Sequence, residues 1–311
     1  MADRSWPAAG VKIYRLSRIG ATMLGYLRRA WTTWHAKSDF IASIRRNPSH
    51  TLFYAAELQF PELQEVWETG GPELQPYEGL ASAWDEYGSC NQPDYLGLIK
   101  FLSDRHSIEL RSVLDLACGT GLLTARLVRS FNEVVGLDAS PRMLEVARAR
   151  LDGCKGASFV FGDFRTFSLG RQFDVIVCTF NSLNYLGDLN ELSGTFAVVA
   201  KHLTPGGIFV FDVTTERSMR ERSGLYAHVT TNAFRFALYS NYDRKQRKQI
   251  SRAITPTGIE LHRRIPISLQ DVKTAARESG LRVEECFSPS LIPVRWLEGY
   301  ASFFVLTKAP D

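Results

Sequence analysis

The stretch Val113-Leu-Asp-Leu-Ala-Cys-Gly-Thr-Gly121 decides the reading of this 311-residue chain. Ser112–Leu116 has the apolar density of a short buried strand, and a glycine-containing turn leads from it into a helix expected over Leu122–Ser130. Gly119 and Gly121 let the backbone approach a ligand, and the helix N-terminus aims unpaired N–H groups at the same spot. In an open α/β sheet ligands bind there, beyond the carboxyl ends of the strands.

The pattern repeats outward. Glu133–Asp138 reads as a second strand, and Ser140-Pro141 opens a helix to about Leu151, an N-cap followed by proline at the first helical position. Ser158–Phe161 and Phe173–Cys178 are further strands, and a helix ending near Lys201 reaches the Pro205-Gly206-Gly207 turn and the strand Ile208–Val213. Residues 226–267 change period, alternating in character between turns at Asp243-Arg244 and Pro256-Thr257-Gly258, as in an antiparallel meander. A capped helix over Ser268–Gly280 and the strands Arg282–Phe287 and Ala301–Thr307 follow. The expected fold class is therefore α/β: a doubly wound, mostly parallel sheet of seven strands with an antiparallel insertion at about 216–267.

Residues 1–75 form a separate region. Ile13, Leu16, Ile19, Met23, Leu24, Leu27, Trp31 and Trp34 recur at helical spacing, with Arg15, Arg18 and Arg29 opposite them, which predicts an N-terminal helical extension. Residues 1–50 hold nine Lys/Arg against Asp3 and Asp39, a net of +7, while residues 51–100 hold nine Asp/Glu against Lys100, a net of −8. Docking of the apolar stripe on the rest of the chain, or a homodimer through these helices, is expected ahead of a membrane surface.

Overall composition excludes other classes. Hydrophobic residues make up 45% and charged residues 23%, as in soluble globular proteins, and a net charge of +4 is too little to argue for nucleic acid. The five cysteines show no C-x-x-C pair, so neither a zinc site nor a disulfide framework is expected, and no metal. Arg15, Arg18 and Arg28 interrupt the N-terminal apolar runs, so a cytoplasmic protein without a signal peptide is expected.

The site residues can be read for chemistry. A dinucleotide fingerprint needs G-x-G-x-x-G, and its third position is Thr124 here. Asp115, inside the strand, would repel a pyrophosphate but suits the methionine ammonium of S-adenosylmethionine (SAM), the cofactor expected. Asp138, at the end of the second strand, can accept both ribose hydroxyls, or else cap the helix at Ser140. Met143 is placed for the adenine face or for the core. In Gly162-Asp163-Phe164, Asp163 can accept the adenine amino hydrogens while Phe164 offers a backbone N–H or packing.

These residues also match a family. DLACGTG, GLDAS-PRML, GDF, FDVIVCTFNSLNYL and LTPGGIFVFDV closely resemble the class I SAM-dependent methyltransferases, in the small-molecule branch that includes aminosugar and glycine-type N-methyltransferases. The resemblance covers roughly residues 77–308 and implies the Rossmann-like fold of that family, with the meander as a lid. It adds Ala117, Ala139 and Thr179 to the cofactor-binding set of Asp115, Gly119, Gly121, Asp138, Met143, Gly162, Asp163 and Phe164. Upstream, Tyr77-Glu-Gly-Leu-Ala-Ser-Ala-Trp-Asp-Glu-Tyr87 looks like the family's N-terminal Y-x-x-x-A-x-x-Y-D helix, so Tyr77 is expected to close over the methionine end, while Trp84 replaces the second tyrosine.

Methyl transfer to an activated sulfonium needs mainly alignment, and a base only if the acceptor arrives protonated. The segment Cys178–Tyr185 should line the acceptor pocket, with Tyr185 where aminosugar relatives carry a proposed histidine base. Tyr185 can orient an acceptor or simply pack under the next helix, and His262, on the last lid strand, is the alternative base. His202 reads as structural. The expected activity is methylation of a small molecule at nitrogen or oxygen in natural-product tailoring. The alternatives are C-methylation, RNA methylation and a SAM-binding subunit without chemistry.

Overall fold

The computed structural model describes residues 12–15, Leu63, Val66, 71–88, 93–287 and 302–309. Its first elements are strands β1 (Lys12–Arg15) and β2 (Glu73–Leu74) and helices α1 (Trp84–Gly88) and α2 (Tyr95–Arg105). Next come β3 (Ser112–Leu116), α3 (Thr124–Leu127), β4 (Glu133–Asp138), α4 (Pro141–Arg150), β5 (Ala157–Phe161) and β6 (Phe173–Cys178). A 3₁₀ turn at Ser182–Tyr185 precedes α5 (Leu189–His202), β7 (Leu203–Val213) and α6 (Glu216–Glu221). Strands β8 (Leu225–Thr230), β9 (Arg235–Asp243), β10 (Lys248–Thr255) and β11 (Gly258–Arg264) lead to α7 (Leu269–Glu278), β12 (Leu281–Phe287) and β13 (Ser302–Lys308).

Two compact units result, and each carries one sheet. In the larger unit the strand order is β12-β13-β7-β6-β3-β4-β5, with β13 antiparallel to β7 and the β7-β6-β3-β4-β5 run parallel. This is the expected doubly wound sheet of seven strands. Its central strands read as continuous Val/Ile/Leu/Phe runs because both faces are covered. Leu114, Leu116, Ile176, Phe209 and Phe211 pack into one core with Phe196 and Phe304. The alternate positions Val113, Val175, Val177, Ile208 and Val210 pack into the other, under Leu98, Ile99 and Leu102 of α2.

Local chemistry sets the helix starts. Ser140 accepts from the Met143 N–H with Pro141 at the first helical position, Asp188 accepts from the N–H groups of Asn190 and Glu191, and Ser268 and Asp271 form a capping box. The helix after the glycine turn is shorter than expected. Only Thr124–Leu127 is α-helical, because i−3 bonds from Arg129 to Arg126 and from Ser130 to Leu127 tighten its end. The Pro205-Gly206-Gly207 turn falls inside β7, where the register against β6 jumps from Phe173↔Leu203 to Val175↔Ile208.

The smaller unit holds a six-stranded sheet ordered β1-β8-β9-β10-β11-β2. The consecutive strands β8 to β11 are neighbours in that order, with β8 and β9 antiparallel, and two upstream readings are corrected. Lys12–Arg15 is a strand paired antiparallel with Leu225–His228, not the start of a helix; an available sheet edge overrides a helical spacing that only weakly fixes a short segment. The other residues of that proposed helix, Leu16 to Trp34, lie outside the described residues. Tyr77–Ala83 are turns and only Trp84–Gly88 is helical, because a distant carboxylate takes the N–H groups of Tyr77, Gly79 and Leu80. Among the described residues, no helix is long and apolar enough to cross a membrane.

Candidate active site

In the larger unit, neighbours leave β3 in opposite directions, towards β4 and towards β6, so its carboxyl end is the switch point of the sheet. Asp115 lies in the penultimate position of that strand and is 1% exposed. Its Oδ2 accepts from the Thr124 hydroxyl at 2.7 Å, while its Oδ1 is buried without a partner among the described residues. Burial pushes Asp115 up to about 7, opposed by the Thr124 bond and aided by the charge of Asp138. A buried acceptor left unmet is costly, and a cationic donor is what it lacks.

The turn beyond it is left-handed at Ala117 (φ 55°), Gly119 (φ 56°) and Gly121 (φ 72°). A Cβ on Gly119 would meet no atom of the described residues within 4 Å, so among them the open side of this residue is clear for a ligand. On Gly121 it would come within 3.1 Å of Ala147 Cβ, so that glycine serves the packing of the turn on α4.

Asp138 ends β4, buried. Its Oδ2 accepts from the Gly119 N–H and its Oδ1 from the Ser140 N–H, each at 2.8 Å. Burial raises its pKa, and those two bonds resist the rise. Ser140 caps α4 through its own hydroxyl, so Asp138 is a brace between two turns and keeps free lone pairs for a diol. Ala139 beside it is exposed, and Met143 is buried on the first turn of α4. Gly162 donates its N–H to the Asp138 carbonyl at 3.0 Å, bringing the loop after β5 to the same edge.

In that loop the Arg165 guanidinium binds both oxygens of Asp163, holds its pKa below the usual range, and reaches Glu191 at 3.4 Å. An adenine amino group would share Asp163 with that cation. Phe164 is half-buried and packs against the apolar core. On the β6 side, the Thr179 carbonyl accepts from the Ser182 hydroxyl at 2.7 Å, and Tyr185 ends the 3₁₀ turn with the Arg264 guanidinium 6.0 Å from its ring centre. His202 is structural as read: Nε2 accepts from the Leu169 N–H at 3.1 Å and Nδ1 faces the Val198 carbonyl at 2.8 Å.

The residues present fit SAM. The unmet Asp115 Oδ1, the open left-handed turn at Gly119 and the Asp138 carboxylate lie on adjacent strand ends of one sheet. Residues 113–207 match the family described as a methyltransferase domain. Residues 113–207 of this chain are a methyltransferase domain. The methyltransferase domain is similar to a dTDP-3-amino-3,6-dideoxy-alpha-D-glucopyranose N,N-dimethyltransferase of Streptomyces fradiae, 35% identical over 147 residues, which cover 46% of this chain and 56% of the relative. The chain thus spans about half the length of the curated relatives it matches. A sugar N-methyltransferase structure from Streptoalloteichus sp. superposes with a TM-score of 0.59 at 25% identity, covering 77% of this chain and 96% of that one. A SAM-dependent methyltransferase from Clostridium acetobutylicum gives a TM-score of 0.65 at 20% identity over 75% and 99%, which shows the fold alone.

Tyr77 and His262 belong to the smaller unit, where they meet each other. Their rings lie 5.0 Å apart edge to face, and Trp84 stands 4.9 Å from Tyr77. Both are organised by Glu260, which is fully buried. Its Oε1 accepts from the N–H groups of Gly79 and Leu80 at 2.5 and 2.7 Å. Its Oε2 accepts from the Tyr77 N–H at 2.9 Å and lies 3.0 Å from His262 Nε2. Sequence reasoning singled out the histidine and missed the glutamate. Only the oddity of an acid at an inward position of an alternating strand could have flagged it.

Proposed function

We propose that this protein transfers the methyl group of SAM to the amine of a small molecule, with an amino sugar as the acceptor class, in natural-product biosynthesis. The observation that carries the reading is the buried, unmet Asp115 Oδ1 beside an open left-handed glycine turn, a receptor for an ammonium next to a close backbone approach. The named activity of the Streptomyces fradiae relative supports nitrogen as the acceptor atom.

When bound, SAM supplies a methyl already activated by its sulfonium. The chain's own residues then bind and align: Asp115 holds the ammonium, Asp138 the ribose hydroxyls, Gly119 the close approach, and Asp163 with Phe164 the base. Tyr185 orients the acceptor, the family resemblance has Tyr77 close over the methionine end, and His262 is the alternative base, needed only for an acceptor that arrives protonated. A neutral amine needs no strong base, so orientation suffices.

The domain division belongs to the same proposal: 1–75 as an extension, 76–311 as the methyltransferase domain, and about 216–267 as its insertion. A cytoplasmic location and a homodimer through the N-terminal region complete it. The test is methyl transfer from labelled SAM to a panel of amines, phenols, carboxylates and bulk RNA, with dTDP-3-amino-3,6-dideoxy-glucose as the lead amine. Label on the amines supports the reading, and label confined to phenols, carboxylates or RNA overturns it.

A further inference from the structure

Just beyond β6 two consecutive residues, Phe180 (φ 62°) and Asn181 (φ 57°), take up left-handed backbone. Asparagine tolerates that conformation, whereas a bulky phenylalanine adopts it only where its surroundings over-determine it. Asp212 provides part of that determination. It interrupts the apolar run Ile208–Val213, is 2% exposed, and falls on the same side of β7 as Ile208 and Val210. Its Oδ2 accepts from the Asn181 N–H at 3.0 Å, and its Oδ1 accepts from the Tyr95 hydroxyl at 3.3 Å. The Tyr95 oxygen accepts in turn from the Phe180 N–H at 3.4 Å.

Both N–H groups of the corner are thus met by one buried carboxylate–phenol pair. The pair is itself fixed, since the Tyr95 ring packs on Phe180 and Phe303 with centres 5.3 and 5.7 Å away. A third tie comes from the Thr214 hydroxyl, which donates to Asn181 Oδ1 at 2.6 Å. Burial pushes Asp212 up to about 7 against the pull of the Asn181 and Tyr95 bonds. A carboxylate in the middle of an apolar strand is a desolvation cost to the sheet, and here it accepts from the Asn181 N–H of this corner and from the Tyr95 hydroxyl that meets the Phe180 N–H.

The corner runs directly into the 3₁₀ turn Ser182–Tyr185, so its dihedral angles set where that turn lies. We propose that Asp212 and Tyr95 are positioning residues for the methyl acceptor: together they hold Phe180–Asn181 left-handed and so place the turn that carries Tyr185. This rests on the methyltransferase reading above. It predicts that loss of the pair disturbs acceptor alignment while cofactor binding, whose charged contacts Asp115 and Asp138 lie on β3 and β4, is spared.

Tyr95→Phe keeps the ring packing and removes only the hydroxyl, and Asp212→Asn keeps the shape and removes the charge. In the full chain, both variants should exchange the Phe180 and Asn181 amide hydrogens at least tenfold faster than wild type, with S-adenosylhomocysteine affinity within twofold. With dTDP-3-amino-3,6-dideoxy-glucose as the probe, kcat should fall tenfold or more while the KM for SAM holds. Unchanged exchange at both amides overturns the proposal, as does faster exchange with kcat and acceptor KM intact. If wild type leaves this probe unmethylated, the amino-sugar reading fails, and the exchange rates at Phe180 and Asn181 decide the corner by themselves.

Discussion

The Gly119 N–H donates to Asp138 Oδ2 at 2.8 Å, so the carboxylate that ends β4 also braces the turn that follows β3. Asp138→Ala therefore removes the proposed ribose acceptor and loosens the turn after β3. S-adenosylhomocysteine affinity should fall by about 2 kcal/mol or more, the scale of charge-assisted hydrogen bonds. Calorimetry returning wild-type affinity would leave Asp138 as a brace alone.

Gly119 and Gly121 should fail differently. At 119 an added Cβ meets no atom of the described residues within 4 Å, so valine there points into the open side of the turn; the chain should fold with a modest loss from its left-handed φ and bind no S-adenosylhomocysteine. Valine at 121 runs into Ala147 and should cost about 1–3 kcal/mol of stability. Normal binding by Gly119→Val would remove the glycine turn from the cofactor site.

Asp115 makes the ligand-free protein pH-sensitive. Its folded pKa is raised from 3.8 to about 7, so the folded state holds a proton that the unfolded chain has lost across that window. Stability from this group is therefore highest below 3.8 and falls as pH rises to about 7. Asp212, raised to about 7 as well, adds to the same slope. An ammonium ligand reverses the trend at Asp115, so the melting-temperature gain from S-adenosylhomocysteine should be larger at pH 7.5 than at 5.5 (roughly, either side of most of that titration). Asp115→Asn should flatten the difference; an unchanged gain in that variant would mean that Asp115 does not meet the ammonium.

Glu260→Gln places an amide NH₂ where only acceptors fit. Its two oxygens face three backbone N–H groups and His262, so one donor would point at another. The expected loss is roughly 3 kcal/mol, seen as a lower thermal midpoint of the full chain. A midpoint within a degree or so of wild type would show that the Tyr77–Leu80 turn holds without it.

Tyr185→Phe and His262→Ala should both leave cofactor affinity near wild type. His262 lies 3.0 Å from a buried carboxylate, so its loss should register in stability, whereas Tyr185 should register in turnover. If both variants turn over the true acceptor normally, catalysis proceeds by alignment alone.

Much of this was legible in the chain itself. The central strands β3, β4, β6 and β7 announce themselves because strands buried on both faces are rich in apolar residues almost throughout, and the caps at Ser140 and Ser268 act within three residues of their own sequence. The glycine turn is equally local: left-handed backbone at Gly119 and Gly121 follows from residues that carry no Cβ. Asp115 and Asp138 could be named because their positions at strand ends follow from the same pattern.

What the tertiary structure alone decided is where each buried acid finds its partners. Glu260 takes N–H groups about 180 positions away, and Asp212 takes one 31 positions back and a phenol 117 back. It also turned Lys12–Arg15 from the first turn of an expected helix into a strand along β8. Periodicity records only which side of an element is apolar. A carboxylate in a low-dielectric interior is satisfied by whichever donors folding brings within about 3 Å, and that distance is set by chain crossings with no trace in the neighbouring residues.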